Sequence, residues 1–146
     1  MSIEGIGYEG QAIDALVSKL RIRGVETLVD VRLNAISRKR GFSKRALAAA
    51  LEGAGIAYVH MPVLGNQRDN RAGYGELDSP LARQVRERFT AELQAEAALE
   101  ALEELANLAR TGPVAVFCYE ADEQHCHREQ VLEQVRGILD RALVAR

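Results

Sequence analysis

Gly112-Pro113-Val114-Ala115-Val116-Phe117-Cys118-Tyr119-Glu120 is the stretch that decides the fold. A Gly-Pro turn leads into five residues that are apolar at every position, and the run ends on a tyrosine and a carboxylate. A strand facing water on one side would alternate polar and apolar. An unbroken apolar run belongs to a sheet covered on both faces, which is the habit of parallel sheets. Mainly apolar runs of the same length stand at Ile3 to Gly7, Thr27 to Val31 and Ile56 to His60. Helical patterns separate them. From about Gln11 to Arg23, Ile13, Leu16, Val17 and Leu20 form an i, i+3, i+4, i+7 stripe, and Gly24 stops it. Ser43 reads as the N-cap of a helix carrying Leu47, Ala50, Leu51 and Ala54, closed by Gly55. Ser79-Pro80 opens a long helical region reaching about Arg110, with one break expected near Thr90. A last helix sets Val131, Leu132, Val135, Ile138, Leu139 and Leu143 on one face. Strands separated by helices make βαβ units, so the expected architecture is a small three-layer α/β/α sandwich with about four mostly parallel strands.

Composition supports one domain over residues 1–146 and excludes several classes. The chain is 47% hydrophobic and 27% charged, which no disordered chain matches. With 5% aromatic residues and no Trp, its core must be aliphatic. Lys and Arg number 19 against 21 Asp and Glu, so the protein is not globally basic, although a local basic patch is compatible with a net charge of −2. No apolar run approaches the roughly 20 residues of a membrane span. The opening residues MSIEGIGYEG lack a secretory pattern, so a cytoplasmic location is expected. Cys118 and Cys126 do not make a disulfide framework.

In an open parallel sheet, ligands bind beyond the carboxyl ends of the strands. Here every strand ends in residues a core cannot use: Tyr8-Glu9, Asp30 and Arg32, His60, and Cys118-Tyr119-Glu120. The irregular stretches that follow add Ser37, Arg38, Arg68, Arg71, Tyr74 and His125 to Arg128. The opposite rim shows mainly the turn glycines Gly24, Gly55 and Gly112. One shared site at the carboxyl rim is the expectation.

Several chemistries compete for that site. Between Arg32 and Arg45 lie Arg32, Arg38, Lys39, Arg40, Lys44 and Arg45 with no acid among them, and the helix after Ser43 offers free N–H groups; together these suit phosphate or another anion. Gly5-Ile6-Gly7-Tyr8-Glu9-Gly10 matches the dinucleotide pattern G-x-G-x-x-G, with Asp30 twenty positions after Gly10. Too little chain precedes Gly5 for a complete strand, so Gly5 and Gly7 are placed inside the first strand and the match is read as accidental. Cys118, His125, Cys126 and His127 are all potential metal ligands, but their spacing fits no zinc knuckle, and three adjacent residues cannot all aim at one ion. No metal or other cofactor is therefore expected. Cys126 at a helix start beside His127 and Arg128 is a candidate thiolate. The chain also resembles rhodanese-like proteins around Leu28 to Arg32 and Cys118, but the first arginine after Cys118 is Arg128, too distant for a short anion-cradling loop. Glu120 is the preferred catalytic carboxylate, with Asp30 as its companion. Residues Gly65 to Gly75 hold three glycines and no large aliphatic side chain, which reads as a mobile loop able to close over a substrate.

Taken jointly, these clusters resemble the domain of unknown function 488 family. The resemblance rests on Ile6-Gly7-Tyr8-Glu9-Gly10, Leu28 to Arg32, Ser37-Arg38, Gly41 to Lys44, Gly55 to His60, Leu64-Gly65, Cys118 to Glu120 and Cys126 to Arg128, in order over nearly the whole chain. It implies Rossmann-like layering, and it marks Tyr8, Glu9, Asp30, Arg32, Ser37, Arg38, Lys44, Glu120, Cys126, His127 and Arg128 as family-characteristic. It implies no reaction. Longer relatives are expected to carry a further short strand beyond Leu143.

The leading functional expectation is an enzyme, a hydrolase or transferase, acting on a small-molecule anion or nucleotide, or on a nucleic-acid end. Arg32, Ser37, Arg38, Lys44 and Arg128 would hold the anion, with Glu9 beside them, and Tyr8 and Phe42 would cover a ring. Glu120, Asp30, His127 and Cys126 would carry the chemistry. The alternatives are a non-enzymatic nucleic-acid or protein binding module using residues 32–45, and a Cys/His metal or redox site. A membrane partner is not expected, and the sequence leaves the oligomeric state open.

Overall fold

The computed structural model describes residues 2–144, with side chains described through residue 142. Four parallel strands, β1 (Ile3–Gly7), β2 (Thr27–Asp30), β3 (Ala57–His60) and β4 (Val114–Cys118), form one sheet in the order β1-β4-β2-β3. Five α-helices connect or follow them: α1 (Ile13–Ile22), α2 (Lys44–Gly53), α3 (Pro80–Glu92), α4 (Glu96–Thr111) and α5 (Arg128–Val144). The parallel three-layer expectation holds. Alternation along β4 shows why. Val114, Val116 and Cys118 point into one core with the apolar faces of α4 and α5, while Ala115 and Phe117 point into a second core with α1 and α2. The side chain of Leu143, expected on the apolar face of α5, and any strand beyond it lie outside the described residues.

The sequence boundaries hold closely, with two corrections. The long helical region breaks at Leu93–Ala95, not near Thr90. Thr90 sits within α3, where its hydroxyl accepts a hydrogen bond from Gln130 Nε2 (2.7 Å) and so ties the helix to α5. The stretch after β3 is not an open loop. It forms short 3₁₀ turns at Arg68–Asn70 and Ala72–Gly75, with Asn66, Asn70, Gly73 and Tyr74 buried. Polar side chains do here what aliphatic ones do elsewhere. Asn70 Nδ2 donates to Asn66 Oδ1 (3.0 Å) and to the Val85 carbonyl of α3 (2.9 Å). Arg71 caps the Asn66 carbonyl, and the Tyr74 hydroxyl bonds Gln130 of α5.

The strand ends lie level, which builds the rim. Gly7 is paired with Cys118, and Asp30 faces both Phe117 and His60. Pairing runs on past the strands, with Glu9 N donating to the Tyr119 carbonyl (2.8 Å) and Val31 N to that of Phe117 (3.1 Å). β4 sits between two strands whose following segments lead to the α1/α2 face, while its own leads to α5 on the other face. A crevice opens at such a switch point.

Candidate functional site

A cavity of about 410 Å³ occupies that crevice. Its walls come from the segments after β1 (Tyr8), β2 (Arg32 to Arg38), β3 (Asn66, Arg68, Arg71) and β4 (Cys118 to Glu120, and His125 to His127). The expected convergence of all four strand ends is therefore present. Nevertheless, several of the residues assigned to it from sequence serve the fold instead.

Asp30 is fully buried, with no path to a substrate. Its Oδ1 accepts from Arg32 Nε (2.9 Å), and its Oδ2 accepts from Arg32 Nη2 (2.7 Å) and the Tyr58 hydroxyl (2.6 Å). Arg32 spends its remaining Nη1 on the Phe42 carbonyl (2.7 Å) and lies over the Phe117 ring. Burial opposes its charge, but Asp30 and Tyr8 outweigh that and raise its pKa. So Arg32 lines the cavity with its donors already committed, and Asp30 serves the fold as their acceptor. Burial, and then the hydrogen bond to Asp30, raise the Tyr58 pKa.

Phe42 is fully buried and stacks on Tyr8 at 4.5 Å between centroids, so it supports Tyr8 from behind and covers no ligand. Tyr8 in turn stacks on Phe117 (5.1 Å) and offers the cavity only its edge, being 4% exposed. The half-exposed aromatic at the mouth is Tyr119, set edge-on to Tyr8, with the exposed Ile36 also on the lining. Lys44 is exposed but lies outside the lining. At the start of α2, Lys44 N donates to the Ala35 carbonyl (2.8 Å). Ser43 occupies the N-cap position without capping. Its Oγ instead bonds both the N–H and the carbonyl of Ser37, tying the loop shut.

Arg128 is 1% exposed and absent from the cavity walls. It reaches the Ala121 carbonyl (3.3 Å) and stands 3.7 Å from Glu123, and its Nε and Nη1 have no hydrogen-bond partner among the described residues. Glu9 is exposed and accepts from Ala121 N (3.0 Å), which fastens the β1 end to the segment after β4. Gly5 and Gly7 lie within β1, and the space above them is filled by the Glu123 side chain and the Glu120 carbonyl. Gly5 and Gly7 therefore do not form the open phosphate-binding turn of the dinucleotide pattern.

What remains in the cavity is compact. Arg38, Arg68 and Arg71 face it without an ion-pair partner among the described residues. Ser37 joins them on the wall, and Glu120 is the one acid among the lining residues. Deeper in stand Cys118, Cys126 and His127, whose ligating atoms all lie within 4.8 Å of one another. The three adjacent residues do not all aim at one point. His125 turns aside, its Nδ1 bonded to the Tyr74 carbonyl (2.8 Å), and Cys118 arrives from β4 in its place. Burial pushes the Cys126 thiol well above its ordinary range, which opposes the nucleophilic thiolate expected at a helix start. Sequence reasoning puts Cys118 at the strand end but leaves it out of the catalytic set. Its parity along β4 is the available signal. Asn66 carries none.

These features define a small α/β/α domain with a cavity at the carboxyl rim of a parallel sheet. Residues 12–135 match the family model described as Domain of unknown function DUF488, and the chain belongs to that family. No curated protein and no solved structure matches the chain. No helix among the described residues is long and apolar enough to cross a membrane.

Proposed function

We propose that the cavity is the active site of a hydrolase or transferase acting on a small anionic, phosphate-bearing substrate, either a nucleotide or the end of a nucleic-acid strand. One observation carries this reading: Arg38, Arg68 and Arg71, from two separate segments, line one cavity of about 410 Å³ with no carboxylate paired to them among the described residues. Guanidinium groups without a carboxylate partner in a concave site suit bidentate contacts to phosphate oxygens, Arg38 and Arg68 above all, since Arg71 already gives Nε and Nη2 to the Asn66 carbonyl. The volume falls within the roughly 300–1,000 Å³ common for small-molecule sites. Tyr119 and Ile36 give the mouth an apolar edge against which a base can lie. Glu120, half-buried on the wall of the same cavity, is the proton-transfer group of this scheme.

Thermal shift against inorganic phosphate and a panel of nucleoside phosphates tests the reading. A ligand present at ~100 times its dissociation constant adds about 2.7 kcal/mol of apparent stability. Arg38→Ala and Arg68→Ala are each expected to weaken that ligand about 10- to 100-fold, the value of one charge-assisted contact. Glu120→Gln is expected to retain binding and lose turnover. Undiminished binding in both arginine variants would overturn the reading. Arg40, Lys44 and Arg45 are exposed outside the cavity and favour the nucleic-acid module as the second reading. That reading would show as oligonucleotide binding with a steep salt slope, lost when those three are neutralised while Arg38 and Arg68 remain.

A further inference from the structure

We infer that Cys118 Sγ, Cys126 Sγ and His127 Nδ1 form a binding site for one thiophilic divalent transition metal, zinc in the first instance, with the fourth coordination position open to the cavity. The inference is independent of which anion the arginines receive.

The distances suit an ion. At Zn–S of about 2.3 Å and Zn–N of about 2.0–2.1 Å, a tetrahedral site sets sulfur and nitrogen about 3.6 Å apart. Nδ1 of His127 lies 3.8 Å from Cys118 Sγ and 3.7 Å from Cys126 Sγ, so two of the edges already stand near the required length. No large movement is needed to close them on a metal.

The imidazole is also held the right way round. His127 Nε2 lies 2.8 Å from the Val31 carbonyl, to which it donates its proton. In the neutral ring that leaves Nδ1 as the lone-pair nitrogen, aimed at the two sulfurs. A backbone carbonyl holding the outer ring nitrogen of a ligating histidine is the usual support for a metal. The edge of Phe89, 5.3 Å between centroids, packs against the ring and fixes its plane.

The donor set names the class of ion. Two sulfurs and an imidazole favour zinc or iron and disfavour magnesium and calcium, which take oxygen ligands. The three ligands come from one strand-to-helix connection: Cys118 ends β4, and Cys126 and His127 immediately precede α5. All three are buried yet line the cavity, so the coordination sphere is closed on the protein side and open on the other. Three protein ligands with an open fourth position is the arrangement of catalytic rather than structural zinc. Glu120 Oε2, 3.8 Å from Cys118 Sγ, stands beside that position. A metal there polarises whatever oxygen the cavity presents to it.

The test uses the untagged full chain, purified without chelator and with reductant present. Elemental analysis should find close to one zinc or iron per chain. After chelation, Co²⁺ should restore one equivalent, with thiolate-to-cobalt charge-transfer absorption in the near ultraviolet and the intense visible bands of a tetrahedral ion. Cys126→Ser and His127→Ala should each lower zinc affinity by more than the roughly 10- to 100-fold that an outer-shell loss costs. Should either variant fail to fold, the cobalt spectrum of the unaltered chain decides alone. A chain that takes up no metal, gives a cobalt spectrum without thiolate bands, or forms a Cys118–Cys126 disulfide and still binds no metal once reduced would overturn the inference.

Discussion

Arg32 folds back on Asp30, two residues earlier, so that Nε lies 2.9 Å from Oδ1 and Nη2 lies 2.7 Å from Oδ2. Both side chains are buried, the carboxylate completely and the guanidinium to within 6%. The Tyr58 hydroxyl and the Phe42 carbonyl take up the remaining capacity of the pair. A charged step at a strand end thus becomes a brace between β2, β3 and the segment leading to α2.

Removing one member of this pair strands the other charge in the interior. Asp30→Ala and Arg32→Ala should therefore each cost about 3–5 kcal/mol. Replacing both at once, Asp30→Leu with Arg32→Met, should cost much less than the two single changes added together, because no charge is left without a partner. Urea denaturation followed by far-ultraviolet circular dichroism measures all three. An additive double variant would mean that the pair does not act as a unit.

Tyr58 and Tyr74 provide a prediction at alkaline pH. Burial raises both pKa values, and for Tyr58 the bond to Asp30 adds to it. A folded-state pKa above the unfolded value means that stability is intact below the unfolded pKa of about 10. It is lost as pH rises from there through the folded value, because the unfolded chain releases protons that the folded chain still holds. Absorbance titration should therefore show Tyr58 and Tyr74 ionising late and together with the loss of circular dichroism. Tyr58→Phe should remove one late-titrating group. A Tyr58 signal that titrates near pH ~10 in an intact fold would contradict this.

The layers of this fold were legible because a two-faced apolar strand such as Val114 to Cys118 has few other uses, and because Gly24 and Gly55 do stop their helices in the left-handed region. The rim was legible from topology alone. What individual rim residues do was not. A charged residue after a strand can point outward, as Arg38 does, or fold back into the protein, as Arg32 does, and local pattern is the same for both. The choice depends on Phe42 and Phe117 stacking around Tyr8, and those contacts join residues far apart in the chain. Cys118 meets His127, nine residues on, because the connection from β4 turns back through Glu123–His125 before α5 begins. A glycine-rich run such as Gly65 to Gly75 looks mobile until Asn66, Asn70 and Arg71 are seen bonding its carbonyls and those of α3.

Gly7 marks where β1 passes closest to the site. A Cβ there would overlap the Glu120 backbone carbonyl, which cannot rotate away as a side chain would. Gly7→Ala should therefore cost about 1–3 kcal/mol through local overpacking. It should also displace Glu120 and weaken whatever the cavity binds. Gly53→Ala is the control: nothing lies within 4 Å of the added atom, and the residue is helical, so stability should hold or rise. Equal effects at the two positions would mean that the close approach at Gly7 is unimportant.

Arg128 separates a structural cation from a ligand-binding one. Its Nε and Nη1 are buried without hydrogen-bond partners among the described residues, and its ion pair to Glu123, at 3.7 Å, is long. Methionine fills a similar length with no donors to satisfy, and a buried charge exchanged for a packed apolar side chain is often neutral or stabilising. Arg128→Met should thus change stability by no more than about 1 kcal/mol, whereas Arg128→Ala opens a cavity and should cost about 2–4 kcal/mol. Because the guanidinium does not line the cavity, Arg128→Met should also leave anion affinity unchanged, in contrast to Arg38→Ala. Paired urea and thermal-shift measurements on these variants decide the matter. A methionine variant that is stable but no longer binds would put Arg128 back among the residues that hold the ligand.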